Sequence, residues 1–167
     1  MKISDIKING ITNPVGFELE PLKVSWKVRE SISSRAENVR IEVSKDVNFS
    51  ECIWKKEDSA LNSIGQEITV CVEPYIRYYC RITVWGDKGD QATGIAYFER
   101  GKGKKPWIGR FITTAEEDRF HPVFEKRFES GKNIQKARLY VTGLGLYEAY
   151  VNGKKAGDDI LAPTTTR

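Results

Sequence analysis

The chain has 167 residues, of which 40% are hydrophobic, 30% charged and 11% aromatic, with a formal net charge of +4. That composition excludes an intrinsically disordered chain and leaves room for one large domain or two small ones. A bilayer-spanning helix needs about 18 or more consecutive apolar residues, and here a charged residue or glycine interrupts every apolar run after a few positions.

The N-terminus, Met1-Lys2-Ile3-Ser4-Asp5-Ile6-Lys7-Ile8, places charge where a secretory signal needs a continuous apolar core. The expected location is therefore cytoplasmic, with no membrane partner. Next, the hydrophobic period is two. Leu22, Val24, Trp26 and Val28 alternate with Lys23, Ser25 and Lys27, and Val39, Ile41 and Val43 alternate with Arg40 and Glu42. Ile68, Val70 and Val72 repeat the pattern, as do Tyr78, Cys80, Ile82 and Val84, and a last strand is expected near Ile95 to Phe98. Gly86-Asp87-Lys88-Gly89-Asp90 forms a polar turn between the last two. Six or seven short strands in about 100 residues, with no helical stripe, predict a β-sandwich. The three cysteines, Cys52, Cys71 and Cys80, have spacings that suit neither a disulfide framework nor a zinc site, and they are expected to be buried thiols.

Two aromatics refine the sandwich. Trp26 takes an inward position on an early strand, and Tyr78 begins a late strand just after Pro74, where its hydroxyl can return to a nearby backbone group. In strand count and in these aromatics, residues 1–100 resemble a fibronectin type III domain.

From Arg100 to Arg110 the chain carries five positive charges, no negative one, three glycines and a proline. Like charges repel and glycine loosens the backbone, so residues 101–106 are expected to be a solvated basic linker. A nucleic-acid partner would require further basic stripes interleaved with exposed aromatics, and none is expected. After it, Phe124 to Phe128 and Ala137 to Val141 read as strands. Tyr147 to Val151 reads as another, followed by Asn152-Gly153, a pair suited to a two-residue hairpin turn. About 60 residues are too few to close a second sandwich, so residues 107–167 are expected to be an incomplete domain.

The stretch Ala137-Arg138-Leu139-Tyr140-Val141-Thr142-Gly143-Leu144-Gly145-Leu146-Tyr147-Glu148, with the Asn152-Gly153 hairpin and the return Gly157-Asp158-Asp159-Ile160-Leu161-Ala162-Pro163, resembles the N-terminal jelly-roll domain of bacterial α-L-rhamnosidases of the inverting glycoside hydrolase type. Pro122 to Phe128 is similar to that family's entry strand, with Glu125 in place of its usual arginine. Thr12-Asn13-Pro14-Val15-Gly16, Val24-Ser25-Trp26 and Tyr78-Tyr79-Cys80-Arg81-Ile82 are like successive family segments, with Cys80 replacing a tryptophan.

The resemblance implies an all-β chain: a fibronectin type III-like sandwich followed by a truncated jelly-roll segment. It also implies that hydrolysis of terminal α-L-rhamnosides belongs to a carboxylate pair in a downstream (α/α)₆ barrel. No catalytic residue is then expected here, and the chain is a noncatalytic fragment that scaffolds the barrel and meets rhamnosylated glycans through the parent enzyme. Asp158 and Asp159, adjacent on an extended strand, point to opposite faces and cannot act together on one bond. His121 precedes Pro122 in a loop with no nucleophile constellation around it.

Two alternatives stand beside this reading. One is a carbohydrate-binding module, in which Trp107, Tyr147 and Tyr150 stack on sugar faces while Asn152, Asp158 and Asp159 fix hydroxyls. No cofactor and no metal are implied, although those Asn and Asp oxygens are also compatible with a calcium ion (Ca2+). The other is a stand-alone adhesion or interaction protein. The uncovered edges of an incomplete second domain further suggest a homodimer formed by strand exchange through the glycine-rich stretch.

Overall fold

In the computed structural model the described residues are 1–114, 121–131, 133–134 and 137–157. They contain ten strands and no helix. The chain divides into two compact units, Met1–Pro106 and Trp107–Arg167.

The first unit is a two-sheet sandwich. Strands β1 (Lys2–Ile8), β3 (Lys23–Arg29) and β6 (Gln66–Glu67) form one sheet, in the order β1-β3-β6. Strands β2 (Val15–Phe17), β4 (Ala36–Ser44), β5 (Cys52–Asp58), β7 (Arg77–Gly86) and β8 (Gln91–Arg100) form the other, in the order β2-β8-β7-β4-β5. All neighbours are antiparallel except β2, which runs parallel to β8. The alternation read in the sequence sets the core. Val24 and Trp26 from one sheet meet Val39, Ile41, Val43, Cys80, Ile82, Val84 and Phe98 from the other, each at most 4% exposed. Side chains one residue away face outward, as a strand period of two requires.

Tyr78 occupies the expected corner. It is fully buried, stacks on Phe98 with centroids 5.5 Å apart, and its hydroxyl oxygen accepts the Glu73 backbone N–H at 3.0 Å. The polar turn after β7 closes as expected, with Gly89 at φ +83° and the Gly86 N–H donating to the Asp90 carbonyl at 2.8 Å. Asp90 also ties this turn to the loop before β4: its carboxylate accepts the hydroxyls of Ser31 and Ser33 and the N–H of Ile32.

The structure corrects several details. The strand expected across Ile68 to Val72 is confined to Gln66–Glu67. Residues 68–72 keep alternating burial but lack a ladder; the Ile68 N–H donates across to the Leu22 carbonyl at 2.9 Å. Val28 is 40% exposed, because burial along β3 stops at Trp26 and the last three residues of the strand lie beyond the core. Of the cysteines only Cys80 is buried. Cys71 falls on the outward phase of its segment, and Cys52 opens the edge strand β5. The basic stretch is not free from its first residue: Gly101 is buried, its N–H donates to the Phe17 carbonyl at 3.0 Å, and Lys105 lies over the Tyr75 ring.

In the second unit, Asn152 at φ +49° and Gly153 at φ +75° make the expected two-residue turn between β9 (Tyr150–Val151) and β10 (Lys154–Lys155). The strands expected at Phe124 to Phe128 and Ala137 to Val141 are not formed among the described residues. A strand requires a ladder partner, and Phe128 and Leu139 are instead 74% and 58% exposed.

Candidate functional site

The sugar-binding candidates fall on the second unit, and the hairpin decides how they are arranged. A two-residue turn places Val151 opposite Lys154 and Tyr150 opposite Lys155. Glu148, two residues before Tyr150, lies within reach of both side chains. Its carboxylate accepts the Tyr150 hydroxyl at 2.7 Å through one oxygen and the Lys155 ammonium at 2.6 Å through the other. The Ala156 N–H, donating to the Ala149 carbonyl at 2.8 Å, continues the pairing beyond the turn.

The electrostatics follow from these contacts. The Lys155 ammonium and then the Tyr150 hydroxyl stabilise the charged carboxylate and hold the Glu148 acid below its ordinary range. The same bond, by opposing a negative phenolate beside a carboxylate, raises Tyr150. A carboxylate kept ionised can accept hydrogen bonds from sugar hydroxyls, but it cannot serve as a general acid, which must hold a proton near neutral pH.

The remaining candidates are placed differently. Tyr147 is half-buried and donates its hydroxyl to the Val141 carbonyl at 2.9 Å, bracing its own loop. Asn152 supplies the left-handed backbone of the turn. Trp107 opens the second unit and is 49% exposed. Asp158 and Asp159 lie outside the described residues. His121 is exposed. Among the described residues no group of three His, Cys, Asp or Glu side chains is arranged to hold a metal ion, and no helix is long and apolar enough to cross a membrane.

Sequence reasoning quoted Glu148 only as part of the rhamnosidase-like stretch, without a binding role, and did not name Lys155. The signal was available. An Asn-Gly turn fixes the register, and the register sets Tyr150 beside Lys155.

Comparison with known proteins agrees on the lineage of both units. Residues 3–104 match the family described as Rha78A-like, N-terminal immunoglobulin domain, and residues 132–167 match the family described as Alpha-L-rhamnosidase N-terminal domain. An alpha-L-rhamnosidase of Formosa agariphila is 25% identical over 197 aligned positions, covering 95% of this chain and 20% of that protein. One of Streptomyces avermitilis is 57% identical over 35 residues, 21% of this chain and 3% of that protein. The crystal structure of the Streptomyces avermitilis alpha-L-rhamnosidase complexed with L-rhamnose superposes with a TM-score of 0.54 at 15% identity, over 60% of this chain and 10% of that one. At that identity the likeness speaks for the fold alone. The chain spans about a fifth of the length of the long relatives it matches. With a two-sheet sandwich over the residues that match the immunoglobulin family, and rhamnosidase sequence following it, the chain belongs to the N-terminal region of α-L-rhamnosidases and begins with a Rha78A-like immunoglobulin domain.

Proposed function

We propose that this chain is a noncatalytic N-terminal part of an α-L-rhamnosidase, and that it acts as a scaffold for a catalytic barrel supplied by the rest of the parent polypeptide. The observation that carries the reading is the order of the two matches, 3–104 then 132–167, in a chain that aligns with only 20% of a full-length relative. In this reading residues 107–167 begin a jelly-roll domain, and terminal α-L-rhamnosides are hydrolysed by the parent's barrel. The carboxylate that the hairpin brings beside Tyr150, Glu148, is held ionised by Lys155 and Tyr150, the wrong state for protonating a leaving oxygen.

The test is turnover of an aryl α-L-rhamnoside. The purified 167-residue chain is expected to give none, whereas the same chain joined in frame to the remainder of a rhamnosidase is expected to be active. Turnover by the 167 residues alone, surviving removal of host enzymes and lost on Glu148→Gln, would overturn the reading.

A second reading, a carbohydrate-binding module, is favoured by one observation. Tyr150 is 58% exposed beside Glu148 and Lys155, an aromatic face flanked by a carboxylate and an ammonium. An L-rhamnose-dependent rise in melting temperature, abolished by Tyr150→Ala, distinguishes it from a pure scaffold.

A further inference from the structure

The two outer faces of the first unit differ in how their charges are used. On the five-stranded sheet each outward arginine has a carboxylate: Arg40 pairs with Glu57 at 2.6 Å, Arg81 with Glu42 at 2.7 Å and Arg77 with Glu99 at 3.9 Å. Each guanidinium also lies over an aromatic ring, of Trp85, Phe49 and Tyr97 respectively. That face is internally neutralised.

The three-stranded sheet is not. Val24 and Trp26 are buried, so the alternate positions of β3, Lys23, Ser25, Lys27 and Arg29, face outward. The register then brings Lys2 opposite Arg29, Ser4 opposite Lys27 and Lys7 opposite Ser25 on the same face, with Glu67 opposite Lys23. Asp5, in the bulge of β1, engages Lys27 at 3.0 Å and Arg29 at 3.4 Å. Among the described residues no carboxylate forms an ion pair with Lys2, Lys7 or Lys23. Five cations and two carboxylates therefore share the face, a local excess close to the net charge of the whole chain. Along β3 the cations Lys23, Lys27 and Arg29 stand about 13.6 Å and about 6.8 Å apart in turn, with Ser25 between the first two, and those of β1 lie about 4.8 Å to one side.

We propose that this face docks an anionic polysaccharide, one whose sugar rings carry carboxylate or sulfate groups. Extended rows of exposed ammonium groups are complementary to a linear polyanion. The hydroxyls of Ser4 and Ser25, set between the lysines, suit a polymer that presents ring hydroxyls as well as charge. None of the outward positions is aromatic or large and apolar, so the face lacks the stacking platform of a single-stranded nucleic-acid site and the apolar wedge of a membrane-surface element. The choice of a glycan over other polyanions rests on the rhamnosidase reading above.

The probes are polygalacturonate against its full methyl ester, which has the same backbone without the charge, and dextran sulfate against dextran. Affinity electrophoresis or calorimetry of the 167-residue chain at low salt is expected to show binding to at least one anionic polymer and not to its neutral counterpart. The triple variant Lys2→Gln, Lys7→Gln, Lys23→Gln is expected to bind at least about tenfold more weakly and with a shallower salt dependence, because each removed cation releases fewer counterions. A charge-matched control, Lys104→Gln, Lys126→Gln, Lys154→Gln, is expected to retain binding. The inference is overturned if neither anionic polymer binds, if the control loses as much as the triple variant, or if duplex DNA or phosphatidylserine vesicles bind as tightly as the polysaccharide. Failure here, with the in-frame fusion active on an aryl rhamnoside, would remove this docking face and leave the rhamnosidase reading intact. An inactive fusion whose chain still bound polygalacturonate would do the reverse.

Discussion

At Glu42 a charge is nearly buried and still ionised. Its side chain is 7% exposed, and a desolvated carboxylate would ordinarily take up a proton more readily. The Arg81 guanidinium, 2.7 Å away, outweighs that penalty, and the Cys52 thiol donates to the same carboxylate at 3.6 Å, so the Glu42 acid lies below its ordinary range. A group whose folded pKa is depressed stabilises the fold at pH values above its unfolded pKa, and that contribution is lost as pH falls through the folded value. The stability of the first unit should therefore decline on the acid side of the carboxylate range. Glu42→Gln should lower stability at neutral pH and flatten that decline, as read by urea melts at a series of pH values. An unchanged acid limb in the variant would mean that other carboxylates, such as Asp90 with its serine hydroxyls, carry the dependence. This pair could not have been read from sequence. Glu42 and Arg81 are 39 positions apart, and only the register of β4 against β7 sets them opposite each other.

Among the strands, those with an unbroken period of two were legible, and those whose period is interrupted were not. β4 and β7 bury Val39, Ile41, Val43, Cys80, Ile82 and Val84 in strict alternation. β1 escaped notice because the register shifts between Ser4 and Lys7, where Asp5 takes φ +51°, and Ile3 and Ile6 fall out of phase. β5 escaped because an edge strand is defended by charge: Lys55, Lys56, Glu57 and Asp58 all face solvent. Of the candidate site, the turn and Tyr150 were legible through the Asn-Gly pair, whereas the bracing role of Tyr147 depends on a loop contact that no spacing encodes. The same distinction separates the glycines of the basic stretch. A Cβ on Gly101 would stand 2.2 Å from the Gly16 carbonyl oxygen, a backbone atom that cannot swing aside, whereas one on Gly109 would meet nothing within 4 Å. Gly101→Ala should destabilise the first unit by about 1–3 kcal/mol through forced separation of β2 from the end of β8, and Gly109→Ala should leave it unchanged. Paired thermal melts decide the matter, since equal melting temperatures would mean that Gly101 belongs to a flexible linker after all.

On the scale of the whole molecule, the two units differ in what they keep from water. The hydrophobic cluster from Ile8 to Phe98 lies entirely within Met1–Pro106 and draws on both sheets. In the second unit Ile108, Phe111, Val123, Phe128 and Leu144 are each at least 72% exposed, and the described strands amount to one short hairpin. Burial of apolar area is the dominant favourable term in folding, and a lone two-stranded hairpin is marginally stable at best. The first unit should thus hold its fold without the second. A protein ending at Pro106 is expected to unfold in a single cooperative transition at the melting temperature the first unit shows in the full chain, while residues 107–167 alone should show no cooperative transition. Limited proteolysis of the full chain should correspondingly leave a resistant fragment ending near Pro106. If the 1–106 protein instead melted well below the full chain, the second unit would be contributing to the stability of the sandwich, and the division of labour drawn from where the core lies would have to be abandoned.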